Sequence, residues 1–274
     1  MPIVDCHAHI TSLDERRYQP KDKPFRPPKN VGDSADLRKT SMAAGVTRVR
    51  AIQTVSFYGY DNRYLCDEAK RNSSWMSGVC TLDPDDPHSP LDLRRFIRDY
   101  NVRALRSVPS NRTRTFDHDG VRALWKVVAD EGAKIDLFLM QRPHIEGAVK
   151  LLTEFPSITV GFCHCMDLKP GPQLKENLAA MLALSRFRNL FPKVDFIGTG
   201  TLRDYPCEDL HDTMMQVIRG YGVERCMWAS SYPNQIWTPR ITYAQHLRIF
   251  QEALPLTARE RALILGENAD RLGF

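Results

Sequence analysis

Eight short apolar runs, each followed by a stretch with helical spacing, constrain this chain of 274 residues more than any other feature. The runs fall at residues 3–10, 48–55, 75–82, 102–108, 134–140, 158–164, 194–200 and 226–230. Helices are predicted after them over 34–44, 61–71, 91–100, 121–132, 144–155, 173–187 and 208–222, with 243–254 and 258–272 closing the chain. Strands that alternate with helices build a parallel sheet, because each crossover helix returns the chain to run in the same direction. Eight such units in roughly 250 residues suit a (β/α)8 TIM barrel. An open doubly wound sheet is the alternative, but no Gly-x-Gly-x-x-Gly turn follows any of the runs. Nothing marks a break between two domains, so one domain over 1–274 is expected.

Composition narrows the function classes. With 42% hydrophobic residues, 15 Gly and 18 Pro, the chain has material for a large core and no sign of bulk disorder. A formal charge of +5, from 38 basic and 33 acidic residues, is too mild for a nucleic-acid-binding surface. The basic residues at 16–17, 21–29 and 38–39 stand without an aromatic stacking series and read as solvated loop. No run of 18 apolar residues is present, and the first strand begins at residue 3, which points away from membranes and toward the cytoplasm. Seven cysteines, an odd number scattered through apolar runs, suit reduced thiols. A homo-oligomer is left open.

In a barrel, chemistry gathers at the C-terminal strand ends and the loops beyond them. The first strand carries Asp5, His7 and His9 at a spacing of two, which predicts one shared face opposite Val4, Cys6 and Ala8. Polar groups buried there without partners cost a few kcal/mol each, roughly, so they need a use. Two imidazoles on one face either chelate a divalent cation or serve as neutral donors and acceptors around a carbonyl. Strand six delivers His164, with Asp167 and Lys169 beyond it, and alternation turns the sulfurs of Cys163 and Cys165 away from His164. Strand four ends in Arg106, followed by Arg112 and Arg114, and Arg203 and Asp204 follow strand seven. A guanidinium inside a barrel strand has little structural reason to be there, and its planar fork suits a carboxylate. Asp136, near the start of strand five, reads as structural. Three histidines and three arginines at one mouth favour a small anionic substrate with more than one carboxylate, and acyl transfer from an ester, lactone or amide to water.

The motifs resemble the amidohydrolase superfamily, in its amidohydrolase-2 branch, and within it the lactonases of 2-pyrone-4,6-dicarboxylate and of sugar lactones. The likeness rests on Asp5-x-His7-x-His9, Tyr58-Gly59-x-Asp61-Asn62, Val102-Arg103-Ala104-Leu105-Arg106, Gly200-Thr201-Leu202-Arg203, Trp228-Ala229-Ser230-Ser231-Tyr232-Pro233 and Gly266-Glu267-Asn268. It implies a barrel lactonase in which His7, His9 and His164 surround the carbonyl. It also implies that Arg106, Arg112 and Arg203, with Tyr58 and Asn62, hold the substrate. Relatives keep one zinc or manganese ion on the equivalents of His7, His9 and His164, or work without metal, and both stay open. One position departs from the pattern: Ser231 stands where the family has the aspartate that takes a proton from water. A neutral serine cannot act as that base, and losing a general base costs about 10²- to 10⁴-fold in rate. The serine could mark a disabled site, a hand-over to Asp167 or Asp204, a Ser-His nucleophile, or an end to hydrolysis. Two competing functions stand beside the lactonase: a metal-dependent decarboxylase of a small aromatic or muconate-type acid, and a catalytically silent dicarboxylate-binding barrel. The decarboxylases of this branch open with Glu-x-His and run longer, so Asp5 and the length of 274 favour the hydrolase.

Overall fold

The structure is a computed structural model and describes residues 2–274. Seven parallel strands, β1 (Ile3–His9), β2 (Val46–Ile52), β3 (Met76–Cys80), β4 (Val102–Ser107), β5 (Lys134–Leu137), β6 (Val160–Phe162) and β7 (Leu190–Pro192), pair in chain order. The segment after Cys226 closes the curl between β7 and β1. On one side the Met227 N–H donates to the Pro192 carbonyl at 2.9 Å; on the other the Cys6 N–H donates to Trp228 at 3.2 Å and the His9 N–H to Tyr232 at 2.8 Å. The chain is therefore a (β/α)8 barrel whose eighth stave is extended but only bridges its neighbours. The cause is local: the Ser230 N–H donates to the Asp5 carboxylate at 2.9 Å, which interrupts the main-chain ladder.

Alternation decides which side chains go where. Val49, Ala51, Leu105, Ile135 and Leu137 join the core between sheet and helices, packed with Leu124, Trp125, Val128 and Leu151. Their neighbours along the strands turn toward the barrel axis, where Ile52, Val79 and Ala104 form a small apolar layer. Below that layer the floor holds buried Arg50, Asp136 and Lys193. Lys193 pairs with Asp136, and the Arg50 guanidinium lies 4.1 Å from the centre of the Phe274 ring. Gly161 makes this floor possible, since a Cβ there would come 2.9 Å from Lys193 Cε and 3.0 Å from an Asp136 oxygen.

Besides the eighth stave, where only isolated bridges form, two strands differ from expectation. The run 194–200 does not form strand seven; β7 lies earlier, and Phe196–Gly200 is a short helix. Pro192 sits at the end of a three-residue strand that its own composition hides, while the apolar run after it turns away to pack on His246. β6 stops at Phe162 because His164, Cys165, Met166 and Asp167 all take positive φ, between 46° and 60°. Alternation therefore does not govern Cys163 and Cys165. No helix among the described residues is long and apolar enough to cross a membrane. The long segment 11–33 lies over the helix Val55–Tyr58, where the Phe25 N–H donates to Ser56 at 3.0 Å and the Lys21 N–H to Phe57 at 2.9 Å.

Candidate active site

β1 brings His7 and His9 to the mouth but not Asp5. Pairing with β2 shifts register between Asp5 and Ala8, and the Asp5 carboxylate swings out to collect donors. It accepts from Ser230 Oγ at 2.6 Å, Tyr243 Oη at 2.9 Å and the His7 N–H at 3.1 Å. The shared face expected for the three residues does not form, because a buried carboxylate needs hydrogen-bond donors more than it needs alternation. His7 Nε2 and His9 Nε2 lie 3.1 Å apart, and His9 Nδ1 lies 3.2 Å from the Ile52 carbonyl. Burial pushes His7 well below the usual histidine range, with His164 and His9 adding to it, and burial and Arg106 do the same to His9. Both rings are neutral at neutral pH, which assigns their tautomers. His9 Nδ1–H donates to the carbonyl, so His9 Nε2 accepts and His7 Nε2–H donates. That leaves the lone pair of His7 Nδ1, a buried atom with no partner in the protein.

His164 stands on the left-handed turn after β6. Four consecutive non-glycine residues there cost roughly 1–2 kcal/mol each, strain of the kind that collects at functional sites. Its Nδ1 lies 2.7 Å from an oxygen of Asp195, which is fully buried just beyond β7. The same Asp195 Oδ2 accepts from Ser231 Oγ at 2.7 Å. Burial works to raise the Asp195 carboxyl, but His164, Ser231 and His246 outweigh it and hold the group below the ordinary carboxylate range. Its second oxygen, Oδ1, is buried without a partner. Sequence reasoning missed Asp195. The signal was one acid inside an apolar run, the same signal that exposed Arg106, but the misplaced strand concealed it.

These groups meet at a cavity of about 500 Å³ lined by His9, Arg106, His164 and Ser231, with Val55, Ser56, Val108, Phe138, Met140, Asp167, Thr199 and Trp237. Arg106 lies 4.0 Å over the Phe138 ring and pairs with no carboxylate among the described residues. The other expected substrate contacts lie elsewhere. Arg112 is exposed with its N–H on Asp85 at 3.1 Å, and Arg203 is exposed with its N–H on Thr201 at 3.0 Å. Tyr58 Oη accepts from the Ser12 N–H at 2.6 Å in an aromatic group with Phe57 and Tyr64, while Asn62 bonds the backbone of Tyr60 and Thr81. None of the four lines the cavity. Of the acids considered for the missing base, Asp204 is exposed beside Arg240, and Asp167 pairs with Lys169.

His7, His164 and Asp195 each present a donor atom within 4.8 Å of the other two. With two imidazoles and one carboxylate they make a two-nitrogen, one-oxygen set that fits one zinc-class cation, and a second group joins His7 to Asp136 and Cys163. His9 stands beside this set, with its Nε2 3.1 Å from His7 Nε2 and its Nδ1 3.2 Å from the Ile52 carbonyl.

Parallel barrel, histidines on β1 and after β6, and a buried carboxylate beside them define a class of hydrolytic barrels. The amidohydrolase family model matches residues 4–272, and the chain belongs to that family. Among solved structures, it is similar to a candidate 2-pyrone-4,6-dicarboxylic acid hydrolase from Pseudomonas putida, at 22% identity and a TM-score of 0.80 over 99% of this chain and 97% of that one. An amidohydrolase from Burkholderia multivorans with bound zinc shares 16% identity, with a TM-score of 0.75 over 99% of both chains. The 5-carboxyvanillate decarboxylase of Sphingomonas paucimobilis shares 14%, with a TM-score of 0.65 over 99% and 98%. At these identities the likeness to each structure carries the fold, and the substrate has to be argued from the site.

Proposed function

We propose that this amidohydrolase-family enzyme hydrolyses the ester bond of a small carboxylated lactone. The observation that carries the reading is His164 on the cavity wall, backed by Asp195 at 2.7 Å, with an unpaired arginine on the same cavity. Asp195 is ionised and accepts the Nδ1–H of His164, which fixes the tautomer and leaves His164 Nε2 as a proton acceptor. A water held there loses its proton to His164 as it attacks the ester carbonyl. The same proton then passes to the alkoxide that leaves, so the imidazole ends as it began. Ser231 gives its hydroxyl proton to the Asp195 oxygen and is not free to attack. Arg106 binds the carboxylate of the substrate through its planar fork. A zinc-class cation held by His7, His164 and Asp195 would supply Lewis-acid polarisation of the carbonyl, and because it would take the His164 lone pair it is an alternative to the His164 base and not an addition to it.

The reading also accounts for the serine where relatives carry an aspartate: the carboxylate has moved from the eighth stave to the end of the seventh. Asp195→Asn keeps the size and removes the charge. Turnover of carboxylated lactones by the variant is expected to fall about 10²- to 10⁴-fold in kcat, with the circular dichroism spectrum unchanged. A variant within threefold of the parent would overturn the assignment.

A further inference from the structure

We infer that the substrate carries a single carboxylate on a flat, apolar ring, and that a second carboxylate is excluded. The inference deepens the hydrolase reading and concerns the same cavity. Arg106 is the one cation among the lining residues, and its only close neighbour of note is the Phe138 ring, 4.0 Å away. The opposite charge is already present, because Asp167 lines the same wall and Asp195 lies behind Ser231. Arg112 and Arg203, which would make the mouth a multiple-carboxylate clamp, are exposed and line no part of it.

Apart from the neutral hydroxyl residues Ser56, Thr199 and Ser231 the rest of the wall is apolar, and two aromatic rings set its shape. Phe138 packs edge-on against His164 with centroids 5.8 Å apart, and Trp237 lies 5.8 Å from His9. Phe25, from the segment over the mouth, covers Trp237 at 5.5 Å. One aromatic ring therefore stands beside each histidine of the cavity, and a planar body there has aromatic wall to pack against. A volume of about 500 Å³ suits a molecule of one or two rings. A second carboxylate on such a ring would find no second cation, only apolar wall, Asp167 or the neutral hydroxyls of Ser56 and Thr199. A desolvated charge with no partner weakens binding by at least about tenfold.

Binding can be read without turnover. The probes are benzoate, isophthalate and benzyl alcohol, titrated calorimetrically and by tryptophan fluorescence. Benzoate is expected to bind at least tenfold more tightly than isophthalate and than benzyl alcohol. Arg106→Gln should bring benzoate down to the level of benzyl alcohol, and Arg106→Lys, which keeps the charge without the fork, should fall between. Trp237→Phe should abolish the fluorescence response. Isophthalate binding as tightly as benzoate, or benzoate affinity unchanged in both arginine variants, would overturn the inference. Because none of these ligands has an ester to cleave, the outcome is independent of whether the enzyme proves to be a hydrolase.

Discussion

Ser231 lines the mouth of the barrel with Asp195 directly behind it. Its hydroxyl is 2.7 Å from the Asp195 carboxylate, and both residues are buried. Restoring the aspartate of the family by Ser231→Asp would set two carboxylates against each other, with His164 able to satisfy only one of them. The variant is expected to lose about 3–5 kcal/mol of stability in urea unfolding, the scale of an uncompensated buried charge, and to turn over more slowly than the parent. Faster turnover would show that the base belongs on the eighth stave after all. His7, His9, His164 and Arg106 are legible in the sequence for one reason: a polar side chain inside an apolar run has no structural excuse. Asp195 obeys the same rule, but the run that follows it is a helix and not a strand, so its place just beyond β7 is not legible in the sequence. Arg112 and Arg203 lie in loops, where no periodicity says which way a side chain points.

At the scale of an element, β1 is held by its own aspartate. Asp5 ties the strand to Ser230 and to Tyr243 of the helix Tyr243–Arg248, and its burial raises the carboxyl from 3.8 to about 6, against the hydrogen bonds from Ser230, His7 and Tyr243 that lower it. The folded chain holds this proton more tightly than the unfolded chain does. The stability it contributes is full below pH 3.8 and is lost as pH rises through about 6. Two units correspond to about 3 kcal/mol. Urea midpoints measured from pH 4 to pH 7 should fall in the parent across this window more steeply than in Asp5→Asn, which cannot titrate. Equal slopes in the two proteins would contradict the assignment. Strand alternation could not reveal this role, since it placed Asp5 beside the histidines; only the register shift shows otherwise.

Across the whole molecule the barrel axis runs from a charged floor to a reactive mouth, with apolar Ile52, Val79 and Ala104 between them on one side and His7 in direct reach of Asp136 on the other. Arg50, Lys193 and Asp136 make the floor, and the histidines, Asp195 and Arg106 make the mouth. Eight repeats of strand and helix were legible because the two periodicities differ, 2.0 against 3.6 residues. The closure of the barrel was not, since it depends on a few main-chain bonds on either side of a stave too irregular to form a strand. The proton acceptor, anion clamp and flat cavity proposed at one end of that axis make hydrolysis the reaction to test. The most direct measurement is mass spectrometry of the products formed from ring-bearing, singly carboxylated lactones in ¹⁸O-labelled water. Hydrolysis predicts one ¹⁸O in the new carboxylate, no carbon dioxide, and loss of the product in Asp195→Asn. Release of carbon dioxide with no label in the product would show that the barrel removes the carboxylate instead of opening the ring.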